Sequence, residues 1–362
     1  MPPATTRQDR MTQEAIRTQP MPFCPLCKQK GILAYREMRD RLYKVPGLWN
    51  FLRCVQCDIF WLDPRPIAND ISKCYPNRYF THHVSQPLSL GSTGFKRQFR
   101  AWVLSTCFGY PLEKPSNSLL QWLIRAIMLV PTIHRKLTLG LGPLLLPYRS
   151  GGRILDIGCG NGVYLAFMKQ LGWEVAGIEI DPVAAEIAKT HFSIPIHVGS
   201  LDNAPFSEAS FDAVTMSHVI EHVEDPVAFV RLATYYLKPG GWLVIITPNA
   251  ASLGVKVFGR DWYAFDPPRH FFLFTSKSLK KCIEQVNSFR QIKIFSLTRK
   301  SRKIYMKFVL VRRTGWFRHP LEKQLLRDWR IRFGAKVFEW LEQFGNPFFQ
   351  WGEEIACVAI KK

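Results

Sequence analysis

The sequence predicts an α/β fold organised on a parallel sheet, and three observations predict it. The stretch Arg153–Gly162, RILDIGCGNG, reads as a buried strand, a glycine turn and the start of a helix over Val163–Leu171. A second strand, Trp173–Glu179, follows that helix and also ends in an acid. Three further apolar runs, Ile196–Val198, Phe211–Met216 and Trp242–Thr247, alternate with helical segments at Val183–Thr190 and Pro226–Tyr236.

The first turn carries glycines at 158, 160 and 162. Such a turn lets a ligand approach the backbone and offers it the amides of a helix N-terminus. Asp156, at the strand's end, can accept hydrogen bonds from a ligand's ammonium group. Glu179 lies nineteen residues past Gly160, where an acid can take both hydroxyls of a ribose. GCGNG departs from the GxGxxG spacing of dinucleotide sites.

The pairing of LDIGCGNG with GIEIDP resembles the class I S-adenosylmethionine-dependent methyltransferases over about Gly151–Phe289. The resemblance implies a Rossmann-like seven-stranded sheet whose last strand, Gly352–Ile360, is antiparallel after a sixth strand at Phe289–Thr298. It implies that S-adenosylmethionine spans Asp156, Gly158, Cys159 and Gly160, with Glu179 on the ribose and Ile180 facing the adenine. Ser200 stands where the family usually carries an acid for the adenine amine. Either Ser200 with the Leu201 amide serves instead, or Asp202 does. The methionine end is expected near Ser217.

Composition bounds the rest. The 362 residues are 47% hydrophobic, enough for a sizeable core and two or three domains. A formal net charge of +21 calls for an anionic partner: nucleic acid, a membrane surface, or a phosphorylated or acidic substrate. No stretch reaches the roughly 20 uninterrupted apolar residues of a spanning helix. Residues 1–20 have no apolar core and read as a disordered tail rather than a signal peptide. The expectation is a cytoplasmic chain, soluble or peripheral at the inner membrane face.

Cys24-Pro-Leu-Cys27 and Cys54-Val-Gln-Cys57 are two CxxC turns with short strands expected between them, over Ile32–Arg53. Two such turns complete a tetrahedral Zn²⁺ site, and four protein ligands make the ion structural rather than catalytic. The Pro-rich turn Asp58–Pro66 and the tyrosines Tyr75 and Tyr79 follow. This arrangement resembles zinc-ribbon methyltransferases of sugar and surface-polysaccharide pathways. The tyrosines read as packing residues or as the lining of an acceptor pocket.

Residues 85–118 read as loop, with basic Lys96, Arg97 and Arg100. Ser118–Ile133 is apolar nearly all round, which predicts a buried helix, with a helix lying in a membrane interface as the alternative. Asn203–Phe211 reads as a polar loop.

Ser217–Pro226, SHVIEHVEDP, falls at the carboxyl end of the fourth strand, where open α/β sheets bind ligands. As a helix it would put His218, Glu221 and His222 on one face. Three roles compete for them: structural ties, a general base, or a divalent-metal triad like that of quinone-pathway O-methyltransferases. Downstream, the turn Lys238–Gly241 and the Thr247-Pro248-Asn249 step lead to a polar, aromatic loop. There Trp262 and Tyr263 could stack on a sugar or base and Arg269 could pair with a phosphate or carboxylate, while His270 reads equally as a second base or as a hydrogen-bonded staple of the loop. Ser276 is expected to cap a helix over Lys277–Asn287. The basic, aromatic segment 299–350 reads as an insertion helical over Leu321–Phe344, a solvated face or a contact for an anionic surface.

The chain thus divides into a tail (1–20), a zinc ribbon (21–66), a helical linker or lid (67–150), a cofactor-binding core (151–298), the basic insertion (299–350) and a closing strand (351–362). The implied function is methyl transfer to a small-molecule or glycan acceptor, such as a sugar nucleotide or lipid-linked sugar. Competing readings are an RNA methyltransferase using the ribbon and insertion, lipid or quinone methylation, and a non-catalytic adaptor of the same fold that docks on membranes.

Overall fold

The computed structural model describes residues 16–75, 94–130, 133–134, 138, 144–298, 301–317, 322–325 and 327–362. It opens on β1 (Thr18–Gln19), paired antiparallel with β5 (Arg65–Pro66). The expected tail is therefore already structured before residue 20, and its residues 1–15 lie outside the described ones. Between them β2 (Ile32–Met38), β3 (Trp49–Arg53) and β4 (Phe60–Asp63) form an antiparallel meander.

The linker departs from expectation twice. Where a loop is expected, α1 (Phe95–Phe108) forms a helix bounded by Gly94 and by Gly109 in the left-handed region. The two glycines take its cap positions. Next comes α2 (Ser118–Met128), whose Asn117 side chain accepts from the Leu119 amide. Of the two settings expected for it, full burial does not hold: only Ile124 and Met128 are buried, while Leu119, Trp122 and Leu123 face outward. Tyr79 and most of 131–143 lie outside the described residues.

The core sheet is built from β6 (Arg153–Ile157), β7 (Glu174–Glu179), β8 (Ile196–Val198), β9 (Phe211–Ser217), β10 (Leu237–Pro248), and later β12 (Phe289–Leu297) and β13 (Glu354–Lys361). Its order is β12-β13-β10-β9-β6-β7-β8. The five strands from β10 to β8 are parallel, and β13 is antiparallel to both its neighbours. This is the expected Rossmann-like seven-stranded sheet. The chain runs outward from β6 to β8 and then returns to β9 on the other side of β6. That reversal opens a crevice above the carboxyl ends of β6 and β9.

Helices cover both faces: α3 (Val163–Gln170), α4 (Pro182–Phe192), α5 (Pro226–Tyr235), α6 (Leu253–Phe258) and α7 (Ser276–Glu284). Asp181 and Asp225 each precede a first-turn proline and accept two backbone amides, which stops the preceding loops cleanly. Thr275, not Ser276, caps α7, in a reciprocal pair with Ser278.

Between Thr275's neighbourhood and β10 lies a two-residue strand, β11 (Phe272–Leu273), which pairs with β4 of the ribbon. The ribbon and the core sheet consequently share one buried cluster, running from Phe51, Trp61 and Leu62 through Phe271 and Phe274 to Val214 and Ile245. Each such side chain contributes about 1.5–3 kcal/mol on burial, so the ribbon is held by packing as well as by any metal.

The insertion before β13 contains α8 (Ser301–Thr314), α9 (Glu322–Leu325) and α10 (Trp329–Phe349). The expected helix over Leu321–Phe344 is thus split, with α10 starting later on an Asp328 cap and running further.

Candidate active site and four-cysteine centre

At the end of β6 the chain turns on Gly158, Gly160 and Gly162, all with positive φ. A Cβ on Gly158 would lie 2.5 Å from Val219 Cγ2, so only glycine fits between this turn and the motif after β9. Glu179 is buried at the end of β7 and fixed by two amides. Its Oε2 accepts from Gly160 N at 2.7 Å and its Oε1 from Asp181 N at 3.0 Å. The acid is thereby aimed across the glycine turn before any ligand arrives.

Asp156 is 6% exposed and its Oδ1 accepts from Thr215 Oγ1 at 2.6 Å. Burial pushes its carboxyl up to about 7, with Thr215 opposing and the nearby charge of Glu179 adding. Thr215 has no signal in the sequence beyond its place in a strand.

Ile180 follows directly and is 73% exposed. Ser200 Oγ donates to Asn203 Oδ1 at 3.3 Å, and Leu201 is buried with its carbonyl accepting from Tyr236. Asp202 points outward from the short turn Leu201–Asn203. Ser217 ends β9 at the crevice. The residues expected around the cofactor therefore line one edge of the sheet.

The buried acid gives a pH dependence. Below pH 7 Asp156 is protonated in the free protein, and a ligand ammonium favours its ionised form. Affinity for S-adenosylmethionine should fall as pH drops below about 7, by up to tenfold per pH unit, with proton uptake by Asp156 as the cause. Calorimetry between pH 5.5 and 8 checks this. A flat profile in the wild type, or a slope retained in Asp156→Asn, contradicts it.

The motif after β9 is not a helix. His218 takes φ 58°, Ile220–His222 form a turn, and α5 begins only at Pro226. The three side chains consequently do not share a helix face. His218 Nδ1 lies 3.1 Å from Glu221 Oε1 and its Nε2 lies 3.0 Å from Glu354 Oε1. Burial opposes charge on this ring, but the two carboxylates outweigh it and raise its pKa to about 9. Glu221 is fully buried. Burial would raise its carboxyl, but His218 outweighs that and holds it at about 2, while its Oε2 accepts from Thr247 Oγ1.

His222 turns the other way, towards the loop before β11. Its ring centroid lies 4.7 Å from that of His270. His222 Nδ1 is 3.0 Å from the Arg269 carbonyl and 3.3 Å from Tyr75 Oη. His270 Nδ1 is 2.6 Å from the Ala264 carbonyl. A carbonyl only accepts, so the proton is assigned to Nδ1 in both rings and the lone pair to Nε2. Burial, then the charge of His270, lowers the His222 pKa to about 4. Ligand atoms of Glu221, His222 and His270 all lie within 4.8 Å of one another.

Two expectations for this loop are corrected. Arg269 is buried and has no reach to an acceptor. Its guanidinium donates to Asp40 at 2.7 and 2.8 Å, to Asp266 and to the Cys74 carbonyl, and lies over Tyr43. Burial opposes ionisation of Asp40, yet Arg269 holds its carboxyl below the usual range. Trp262 is also buried, its indole donating to Glu353 Oε2 at 2.8 Å, so it supports the loop instead of stacking on a ligand. Asp40 carried no sequence signal, because its partner is 229 residues away.

The four cysteines of the CxxC turns come together with all four sulfurs within 4.8 Å of one another. None is in a disulfide. Lys28 and Asp58, just past each turn, take positive φ, and Cys57 N donates to Cys54 Sγ at 3.3 Å. Four convergent thiols on two tight turns fit a tetrahedral zinc ion, which Cys24, Cys27, Cys54 and Cys57 would hold with no position left for a reactant.

Residues 132–288 match the methyltransferase domain family. Among curated proteins the chain is similar to the ubiquinone biosynthesis O-methyltransferase of Xanthomonas axonopodis pv. citri strain 306, 36% identical over 138 residues, 34% of this chain and 58% of that protein. It is similarly 36% identical over 143 residues to the enzyme of that name from Xanthomonas oryzae pv. oryzae strain PXO99A, covering 36% of this chain and 60% of the relative. The chain thus spans less than two thirds of the length of these relatives. A solved S-adenosylmethionine-dependent methyltransferase from Archaeoglobus fulgidus superposes with a TM-score of 0.40 at 23% identity, over 58% of this chain and 86% of that chain. The sheet order and the domain match agree on one class of fold, a Rossmann-like methyltransferase domain on a mostly parallel seven-stranded sheet. Its glycine turn and paired acids are the part of that domain that would hold the cofactor.

Proposed function

We propose that the chain transfers a methyl group from S-adenosylmethionine to a hydroxyl of a small anionic acceptor, a sugar nucleotide or a lipid-linked sugar, at the inner face of a membrane. One observation carries the oxygen acceptor: a pair of histidines lies beside the loop that follows the carboxyl end of β9, ring centroids 4.7 Å apart, each with Nδ1 tied to a carbonyl. A hydroxyl needs a base, and these rings offer Nε2 for that purpose. The curated relatives are named O-methyltransferases, which supports the same reading. The formal net charge of +21 supports an anionic acceptor.

Bound S-adenosylmethionine supplies a methyl group already activated on a sulfonium. Asp156 and Glu179 would hold the two polar ends of the cofactor across the glycine turn. His222 Nε2 would accept the proton of the acceptor hydroxyl, leaving its oxygen free to react. His222 stays neutral above about pH 5, because its folded pKa of about 4 lies below the usual imidazole value. His218 is assigned no part in proton transfer, since it is already protonated between two acids.

His222→Gln should lower turnover at saturating cofactor by about 10²-fold or more and leave cofactor affinity within twofold. His270→Gln gives the comparison for the second ring. Full turnover in His222→Gln overturns the base assignment. The cluster of Glu221, His222 and His270 allows a divalent-ion reading, but Glu221 already spends both oxygens on His218 and Thr247. Turnover that tracks added Mg²⁺ or Mn²⁺ after dialysis would favour the ion over the base.

A further inference from the structure

The outer face of α10 poses a problem for a chain surrounded only by water. Its inner face, Ile331, Ala335, Phe338 and Gly345, is buried, and Phe338 packs on Phe258 and Tyr305. On its outer face Trp329, Phe333, Trp340, Phe344 and Phe348 are 69, 62, 63, 65 and 72% exposed. At 3.6 residues per turn these five fall in a sector of about 100°, and at 1.5 Å per residue the stripe is about 28 Å long. Trp340 stacks on Phe344, with ring centroids 5.6 Å apart, which keeps the stripe continuous. Soluble surfaces rarely leave so large an apolar patch bare unless something covers it.

Charge decides what covers it. Arg330, Arg332 and Lys336 are exposed along the same helix, and Arg312 and Arg313 at the end of α8. The helix's own acids are turned away from the stripe: Glu342 is buried and Glu339 is engaged by Arg302. A second copy of this chain would bring the same cations against one another. An anionic surface with an apolar interior meets both the stripe and its basic flank. Among the described residues no helix is long and apolar enough to cross a membrane, so the contact is one of lying flat.

We infer that the outer face of α10 docks in the headgroup layer of an anionic phospholipid bilayer, with Trp329 and Trp340 at the polar boundary and the basic flank on lipid phosphates. The outward face of α2, with Trp122 and Leu123 beside Arg125, is a second contact of the same chemistry. The inference deepens the membrane part of the proposed function and rests on that reading only for what the docked enzyme methylates.

The test is sedimentation of the full chain with phosphatidylcholine vesicles, with and without phosphatidylglycerol, across a salt series. Binding is expected only with phosphatidylglycerol and should weaken as salt rises. Trp340→Ser combined with Phe344→Ser should weaken it by about tenfold or more. Arg332→Glu combined with Lys336→Glu should weaken it at low salt and reduce the salt slope. All these side chains are exposed, so each variant should bind S-adenosylmethionine by calorimetry as the wild type does. Absence of vesicle binding in a wild type that binds cofactor overturns the docking and leaves the methyl-transfer reading standing. So does vesicle binding equal in wild type and Trp340→Ser/Phe344→Ser, or a wild-type dimer that this variant dissociates. Vesicle binding by a chain that transfers no methyl group supports the docking and counts against the function alone.

Discussion

Exchanging Glu179 for alanine should lower S-adenosylmethionine affinity by about 10²–10³-fold, the cost of leaving buried donors unmatched together with the lost contacts to a ribose. The carboxylate has two jobs at once. It joins the ends of β6 and β7 through the Gly160 and Asp181 amides, and it is the acid that would accept the ribose hydroxyls. Removing it orphans both amides at the place where the cofactor lies. Glu179→Gln keeps one acceptor oxygen and should fall between wild type and alanine. Calorimetry with S-adenosylmethionine and with its demethylated product measures both variants, and thermal melting verifies that the sheet persists. Affinity unchanged in Glu179→Ala would remove the cofactor pocket described above.

Stripping metal from the four-cysteine centre should abolish turnover while cofactor affinity stays within about threefold, because the centre contributes folding energy locally. From the sequence, chelation is expected to melt residues 20–65 and to spare the cofactor pocket. The structure extends that expectation to the acceptor side. Asp40, in the ribbon, holds Arg269, and the Arg269 carbonyl holds His222. Leu62 N donates to the Phe271 carbonyl one residue beyond His270. Loosening the ribbon releases both histidines. Asp40→Asn tests the link without touching a cysteine: breaking a buried ion pair costs about 3–5 kcal/mol, and turnover should fall at least tenfold with the zinc content kept at one per chain. A metal count of zero in the purified protein would sink the centre. Normal turnover after its removal would uncouple it from the site.

The cofactor half of the site was legible because it is local. A strand, a glycine turn and a second acid nineteen residues on are all set by short-range geometry, and the structure brings Glu179 onto the Gly160 amide, which leaves the cofactor role of these residues as the proposal. The cysteine pairs were legible for the same reason. The acceptor half was not, because its geometry is made by partners distant in sequence. His218 was read as facing the same way as His222, but Glu354 draws it aside from the far end of the chain. Arg269 looked like a ligand for phosphate until Asp40 arrived from the ribbon. The sequence left the setting of α2 open between burial and an outward apolar face, since an all-round apolar segment does not say which neighbours will be absent. The α1 helix was hidden by the glycines at its ends, which signal a loop as readily as a cap.

The pairing of Phe272 with Trp61 has an effect on biogenesis. The amino-terminal ribbon emerges first from the ribosome, yet the strand that closes its sheet is made some two hundred residues later. Until then the outer edge of β4 presents unpaired amides and carbonyls beside Phe60 and Trp61, a sticky template for other chains. Closing so long a loop is slow and entropically costly. Early capture of an ion by the four thiols would hold that half-made sheet in shape during the wait, so cells starved of zinc should accumulate this protein as aggregate rather than as soluble, inactive enzyme.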